Sequence, residues 1–176
     1  FNAPFGACPE CDGLGSKLEV DLDLIVPDKN LTLEEGALVP WNPISSNYYP
    51  TMLEQFCKQF KIPMNIPFEK LTQSQKNMVL YGSGDATFKF HYENEFGGVR
   101  DVEIPFEGVA VNVERRYRET NSDFTREQMR QYMTESECKR CHGFRLNEQA
   151  LSVKVGGKNI SEVLALSVDD EIDFFK

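Results

Sequence analysis

Hydrophobic positions recur along the chain with two periods, and the change between them separates predicted helices from predicted strands. Over residues 51–60, apolar side chains recur at the i, i+3, i+4, i+7 spacing of an amphipathic helix. Over residues 88–92 the period becomes two, and Gly97-Gly98 separates this run from residues 99–104. Alternation on both sides of a glycine turn predicts a β-hairpin.

Turn and capping signals predict further elements. Thr72 with Gln75 forms a capping box, which predicts a helix that ends at Gly82. Segment 31–50 is rich in turn-forming residues and is predicted to be a loop. Shorter patterns predict strands at 18–24, 109–117 and 151–155, a helix at 125–133 with a capping box of Thr125 and Gln128, and short helices capped by Ser161 and Ser167.

The order of these elements favours an α+β fold, because helices and strands come in separate runs. We predict three segments: residues 1–30 with a first cysteine pair and a strand, an insertion domain at 31–133 of antiparallel strands and short helices, and residues 134–176 with a second cysteine pair. The chain begins without methionine and ends inside a predicted helix, so we interpret it as a piece of a longer protein.

Four of the five cysteines form two C-x-x-C pairs near the ends of the chain. The first pair is Cys8 and Cys11, the second is Cys138 and Cys141, and 126 residues separate them. Two such pairs supply the four thiolates of a tetrahedral structural zinc site, and they favour a reducing compartment over a disulfide framework. We therefore predict one Zn²⁺ held by these four side chains, with the insertion domain looped out of a small four-cysteine zinc module. Redox-active or merely structural thiols are the alternative.

Two other residues need separate interpretations. Cys57 lies at core spacing with Leu53 and Phe56, so it is predicted to be a small buried hydrophobic residue. His142 follows Cys141 directly and is an alternative metal ligand, although four cysteines already complete a tetrahedral set.

Charge is unevenly distributed along the chain. The net charge of −9 is the wrong sign for a nucleic-acid-binding protein acting alone. Segment 112–145 differs, because eight basic side chains stand there against six acidic ones. The guanidinium group donates to phosphate in pairs, which makes arginines of this segment candidate DNA contacts. They are Arg115, Arg116, Arg118, Arg126 and Arg130. The alternative is a solvated strand whose arginines pair with Glu114 and Glu119.

Three stretches resemble the UvrA family, the damage-recognition ATPases of bacterial nucleotide excision repair. They are residues 1–15 around the first cysteine pair, Pro105–Val109 with 114–117, and 145–151 with 155–160. The resemblance covers essentially the whole chain in order. It implies a first-half zinc module, an insertion domain that contacts DNA, and the start of a signature domain. The second cysteine pair departs from the family pattern at Lys139, where proline is common, but both thiolates are kept.

The resemblance also implies partners and a location. The partners would be damaged double-stranded DNA, UvrB and a second UvrA copy, in the cytoplasm and without a membrane. ATP and Mg²⁺ would belong to the longer protein, since the sequence contains neither a G-x-x-x-x-G-K-[ST] loop nor an L-S-G-G signature. This stretch is therefore predicted to be non-catalytic.

Alternatives stay open at this point. Cys8 and Cys11 could pair with cysteines upstream of the chain, as the family resemblance allows. A zinc-dependent protein-interaction module is a second possibility, because C-x-x-C-x-G-x-G also occurs in the cysteine-rich region of J-domain chaperones. A catalytic zinc is disfavoured, since it keeps an open position and usually three protein ligands.

Overall fold

The computed structural model describes residues 4–42, 47–94 and 96–176. Residues 1–3 of the first family-like stretch and part of the predicted loop 31–50 lie outside the described residues. In chain order the elements are β1 (Ser16–Val20), α1 (Leu22–Ile25), α2 (Tyr48–Phe60), α3 (Gln73–Tyr81), β2 (Thr87–Glu93), β3 (Val99–Pro105), α4 (Val109–Glu119), α5 (Asp123–Arg130), β4 (Met133–Glu137), α6 (Glu148–Ser152), β5 (Lys154–Val155), β6 (Lys158–Asn159), α7 (Ile160–Leu164) and α8 (Val168–Phe174).

The chain divides into two compact units. One comprises Phe1–Glu19 together with Glu135–Lys176, and we call it the cysteine unit. The other comprises Val20–Thr134, and we call it the central unit. The three-segment division with boundaries at 30/31 and 133/134 stays a prediction. The mixture of helices with small sheets confirms the α+β class.

Aromatic rings form the core of the central unit. Phe56 of α2 stacks on Phe106 with ring centroids 3.8 Å apart, and it meets Phe88 of β2 edge-on at 5.6 Å. All three side chains are fully buried, and burying a side chain of this size contributes about 1.5–3 kcal/mol. Leu53 and Cys57 lie on the same buried stripe of α2, as the helical spacing predicts.

The predicted hairpin is confirmed as β2 paired antiparallel with β3. Phe88 and Phe90 are buried on one face, and residues of β3 lie opposite them in register. At the open end of this face, Tyr92 of β2 lies directly across from Arg100 of β3. The predicted capping box of α3 is also confirmed.

The strand predicted at 109–117 is wrong, because these residues form helix α4. The valines favour a strand by propensity, but Val109 and Val113 are four residues apart and are both buried on one helical face. Ion pairs at i, i+4 spacing, Glu114 with Arg118 and Arg115 with Glu119, further support the helix. In this segment the burial of side chains spaced four residues apart therefore outweighs the β-propensity of the valines.

Four other boundaries differ from prediction because nearby polar side chains cap helices. Asp21 caps α1, so the strand predicted at 18–24 ends at Val20. The helix predicted at 125–133 begins earlier, after the Ser122 cap, and ends at Arg130. Asn147 caps α6, which occupies part of the strand predicted at 151–155. Asn159, not Ser161, caps α7 through a capping box with Glu162, whereas Ser167 caps α8 as predicted.

The strands of the cysteine unit are short. β1 pairs with β4, and Cys138 N–H donates to the Gly15 carbonyl at 3.0 Å beside this pairing. β5 and β6 form a second hairpin around Gly156-Gly157, and both glycines have positive φ. Among the residues that the structure describes, no helix is long and apolar enough to cross a membrane.

Candidate functional site

The four paired cysteines meet at one place in the cysteine unit. Their sulfur atoms all lie within 4.8 Å of one another, and all four side chains are buried. The Sγ atoms are 3.9 Å apart for Cys8 and Cys138, and 3.6 Å apart for Cys11 and Cys141. Four sulfurs at about 2.3 Å from a tetrahedral Zn²⁺ would be about 3.8 Å apart. The donor set and its spacing therefore fit zinc.

The two cysteine pairs are built in the same way, with an offset of 130 residues. After each second cysteine the chain takes two consecutive residues with positive φ: Asp12 at 51° and Gly13 at 82°, then His142 at 48° and Gly143 at 77°. Glycine adopts this conformation without steric cost, which explains why a glycine stands two residues after the second cysteine of each pair. The turn brings both sulfurs of a pair to the same side.

Backbone hydrogen bonds connect each pair to the other. Cys8 N–H donates to the Arg145 carbonyl at 2.9 Å, and Cys138 N–H donates to the Gly15 carbonyl at 3.0 Å. Gly15 and Arg145 are equivalent under the same offset, and both have positive φ. A methyl group on Gly15 would lie 2.9 Å from Arg145 Cγ and 3.0 Å from the Gly143 carbonyl oxygen. The two halves of the site thus form one structure with approximate twofold symmetry.

Backbone N–H groups around the sulfurs lower the pKa of one of the four thiols. The backbone N–H groups of Cys141 and then Arg140 outweigh burial and lower the pKa of the Cys138 thiol to about 7. Gly15 N–H donates to Cys11 Sγ at 3.2 Å. Burial raises the pKa of Cys141. Four adjacent thiolates would repel one another, and a divalent cation removes this penalty.

His142 is not part of the cluster of possible metal ligands found among the described residues. Its side chain is 70% exposed and lies 3.8 Å from a carboxylate oxygen of Glu137. The four sulfurs alone complete a tetrahedral set.

Three of the five candidate arginines already have carboxylate partners. Arg115 makes a two-pronged contact with Glu107, at 2.6 and 3.2 Å, and also reaches Glu119. Arg118 pairs with Glu114 at 2.6 Å and Arg126 with Asp123 at 2.8 Å. These partners neutralise the charge that a phosphate would use. The alternative interpretation, in which arginines pair with Glu114 and Glu119, is therefore correct for Arg118 and in part for Arg115. These pairs lie on a helix, however, and not on the predicted strand.

A buried polar network fixes Arg115 from the inside. Trp41 Nε1 donates to Asn112 Oδ1 at 3.2 Å, and Asn112 Nδ2 donates to Glu107 at 3.0 Å. Burial would raise the pKa of Glu107, but hydrogen bonds from Arg115 and Asn112 outweigh it and hold that pKa below its usual range. Sequence analysis did not identify this network. Its one local signal is the presence of a glutamate, Glu107, eight residues before Arg115.

The other arginines of the central unit have different surroundings. Arg116 lies over the ring of Tyr49, with Cζ 5.6 Å from the ring centroid. Arg130 is exposed, and within the described ranges it has no ion pair. Sequence analysis missed Arg100, whose Nη1 donates to Tyr48 Oη at 3.2 Å. It precedes the basic segment, so a count of charges along the chain does not reveal it.

A family model described as the UvrA DNA-binding domain matches residues 21–131. This range nearly coincides with the central unit, Val20–Thr134. The match therefore covers the aromatic core, the hairpin and all six arginines of that unit.

Curated relatives match nearly the whole chain. UvrABC system protein A of Lactiplantibacillus plantarum is 66% identical over 99% of this chain, and the protein of the same name in Streptococcus pneumoniae is 64% identical over 98%. The chain spans about a fifth of the length of these relatives. A crystal structure of UvrA2 from Deinococcus radiodurans matches with a TM-score of 0.72 at 25% identity, covering 98% of this chain and 22% of that one.

Proposed function

The chain belongs to the UvrA DNA-binding domain family, and from this premise we propose that it contacts DNA on behalf of a longer repair protein. The observation that carries the proposal is the agreement between the matched residues 21–131 and the central unit. In the longer protein, the target would be damaged double-stranded DNA during nucleotide excision repair.

The proposed role of the cysteine unit is structural. Cys8, Cys11, Cys138 and Cys141 would hold one Zn²⁺, which is supported by the sulfur spacing and by burial of all four side chains. A tetrathiolate site leaves no open coordination position, so the ion would stabilise the fold and not take part in a reaction. Pairing with cysteines upstream of the chain is less favoured, because the two pairs already share backbone hydrogen bonds.

The proposed DNA contacts are to phosphates, because phosphate contacts position a protein on DNA without reading its sequence. Among the five predicted arginines, Arg116 and Arg130 are the primary candidates. Arg115, Arg118 and Arg126 are already neutralised by carboxylates, so we do not assign them a direct phosphate contact. Contacts of this kind are independent of sequence, which suits recognition of lesions in any context.

Catalysis, further partners and location belong to the longer protein. We propose that this stretch is non-catalytic and that ATP, Mg²⁺, UvrB and a second UvrA copy bind elsewhere in the parent. The proposed location is the cytoplasm, where the thiols stay reduced. A zinc-dependent protein-interaction module like that of J-domain chaperones is not favoured, because the match to the DNA-binding domain extends over nearly all of the central unit.

DNA affinity at several salt concentrations tests the proposal. The chain, loaded with zinc, is titrated into labelled duplexes of two unrelated sequences. We expect equal affinity for both, with log K falling linearly with log salt by about 0.9 for each phosphate contacted. The variant Arg116→Gln with Arg130→Gln should reduce this slope, whereas the matched control Lys58→Gln with Lys154→Gln should not. Absence of binding at low salt, or binding without salt dependence, would refute the proposal.

A further inference from the structure

Arginine side chains of the central unit divide into two classes by their partners. Arg115, Arg118 and Arg126 contact carboxylates. Arg100 and Arg116 contact tyrosines, and among the described residues neither has an ion pair. A guanidinium held by a carboxylate is already neutralised, whereas one that contacts a neutral hydroxyl or ring keeps its charge and most of its donors available.

The tyrosines that hold these two arginines contact each other. Tyr48 and Tyr49 are consecutive in α2, and their ring centroids are 5.3 Å apart in an edge-on arrangement. The ring centroid of Tyr92 lies 5.0 Å from that of Tyr48. Arg100 from β3 contacts the hydroxyl of Tyr48, and Arg116 from α4 lies over the ring of Tyr49, so two different elements of the chain place an arginine at this pair of tyrosines. We call this set, Tyr48, Tyr49, Tyr92, Arg100 and Arg116, the tyrosine–arginine surface.

The hairpin register explains why Arg100 faces the tyrosines. Tyr92 and Arg100 are directly opposite each other, and successive residues of a strand point to opposite faces. Tyr92 belongs to the face that packs on the core, so Arg100 also lies on that face. The neighbouring carboxylate, Asp101, lies on the other face and contacts His91 at 2.7 Å. The strand therefore places a positive charge beside the tyrosines and directs the adjacent negative charge away.

The tyrosines that the two arginines contact are themselves packed against core residues. Tyr49 is itself fixed, because it stacks on the buried Trp41 with ring centroids 5.3 Å apart. Tyr48 packs edge-on against Phe90, a buried core residue. Each arginine therefore contacts a tyrosine that core residues hold in place, which lowers the entropy cost of holding the guanidinium in one position for a ligand.

We propose that the tyrosine–arginine surface is a DNA-backbone contact in which Arg100 and Arg116 bind phosphates and Tyr48 positions Arg100. This inference rests on the proposed DNA-binding function and adds a contact on β3, outside the basic segment 112–145. The carboxylate-paired arginines of α4 and α5 then mainly stabilise the helices. The distinction between the two classes is what the experiment measures.

The test compares charge-matched variants of the zinc-loaded chain by duplex titration at several salt concentrations. Arg100→Gln removes one charge from the tyrosine–arginine surface, and Arg118→Gln removes one from an exposed ion pair. We expect Arg100→Gln to weaken binding about tenfold and to reduce the salt slope by about 0.9, while Arg118→Gln changes affinity less than about twofold. Circular dichroism confirms that both variants are folded.

Tyr48→Phe tests positioning separately from charge. It removes the hydroxyl that accepts from Arg100 but leaves the ring and the positive charge in place. We expect weaker binding with an almost unchanged salt slope, and no additional loss when Tyr48→Phe is added to Arg100→Gln.

The outcomes separate this inference from the proposed function. Salt-dependent DNA binding by the unmodified chain, combined with equal effects of Arg100→Gln and Arg118→Gln, would overturn the tyrosine–arginine surface and leave the DNA-binding function intact. An unmodified chain that binds no DNA would overturn both.

Discussion

At the scale of single residues, the partner of an arginine indicates its role more reliably than its position in a basic segment. Arg115 begins the run Arg115-Arg116-Tyr117-Arg118, yet it is held on two sides by Glu107 and Glu119. Arg116, its direct neighbour, lies over Tyr49. From the sequence, Arg115 and Arg116 are equally good candidates for a DNA contact. Their partners, Glu107 and Tyr49, come from positions that no local pattern connects to them.

Glu107 is predicted to stabilise the central unit in a pH-dependent way. Its carboxylate accepts from Arg115 and from the buried Asn112. Its lowered pKa means that this stabilisation is present above the ordinary glutamate value of 4.5 and is lost as the pH falls through the lower value in the folded protein. We expect Glu107→Gln to cost about 1–3 kcal/mol at pH 7 and less at acidic pH. Urea unfolding at both pH values measures the difference.

The control for this prediction is Glu127→Gln, an exposed glutamate of α5. It should leave the free energy of unfolding nearly unchanged at either pH. A loss in Glu107→Gln that is equal at neutral and acidic pH would show that the carboxylate charge is not responsible.

Residue-scale features were predictable where they depend on local geometry. The positive φ of Gly13 and Gly143 follows from the C-x-x-C-x-G pattern, and burial of Cys57 follows from its helical spacing. Burial raises the pKa of the Cys57 thiol to about 12, as expected of an inert core residue. The contact between Trp41 and Asn112 joins positions 71 residues apart, and no local pattern predicts it.

At the scale of elements, the junction between α3 and α4 depends on two glycines. Gly82 ends α3 and Gly108 precedes α4, and both have positive φ. A methyl group on Gly108 would lie 2.4 Å from Gly82 N and 2.6 Å from the Leu80 carbonyl oxygen. The two backbones therefore approach more closely than any side chain permits.

We predict that Gly108→Ala destabilises the central unit by at least about 3 kcal/mol, because conformational strain adds to a backbone clash. Gly97 in the hairpin turn is the matched control, since its φ is also positive but no atom lies within 4 Å of an added methyl group. Gly97→Ala should cost only about 1 kcal/mol. Thermal unfolding distinguishes the two, and equal losses would mean that the close approach is unimportant.

Helix α4 is an element that the pattern of apolar residues does not predict. The hairpin and α2 were predictable because aromatic and aliphatic residues repeat with one clear period. In α4, valines at 109, 111 and 113 alternate as they would in a strand, and the helical pattern appears only when the buried Asn112 and the ion pairs at i, i+4 are included. A buried asparagine looks polar in sequence, so the helical face was not visible.

At the scale of the whole molecule, the two units depend on different forces. The central unit has a large aromatic core. In the cysteine unit, the hydrophobic residues that are buried among those the structure describes are the four cysteines and Val163. Such a unit lacks the apolar burial that stabilises a small domain, so a metal is expected to supply much of its stability.

Removal of the metal should therefore affect the two units differently. We predict that chelation unfolds the cysteine unit while the central unit keeps the fluorescence and near-ultraviolet circular dichroism of Trp41, the one tryptophan of the chain. Backbone amide exchange in α2 and β2 should stay slow. If the Trp41 signals disappeared together with the metal, the central unit would depend on the metal for folding.

The zinc content of purified variants tests whether the four cysteines share one ion. Four cysteines from opposite ends of the sequence are proposed to share one ion, so the unmodified chain should contain one zinc. Cys138→Ser with Cys141→Ser should abolish binding, whereas Cys57→Ser should retain it, because Cys57 lies in the core of the central unit. Zinc retained at one equivalent in the Cys138→Ser, Cys141→Ser variant would contradict the shared site and assign the ion to Cys8 and Cys11 with other ligands.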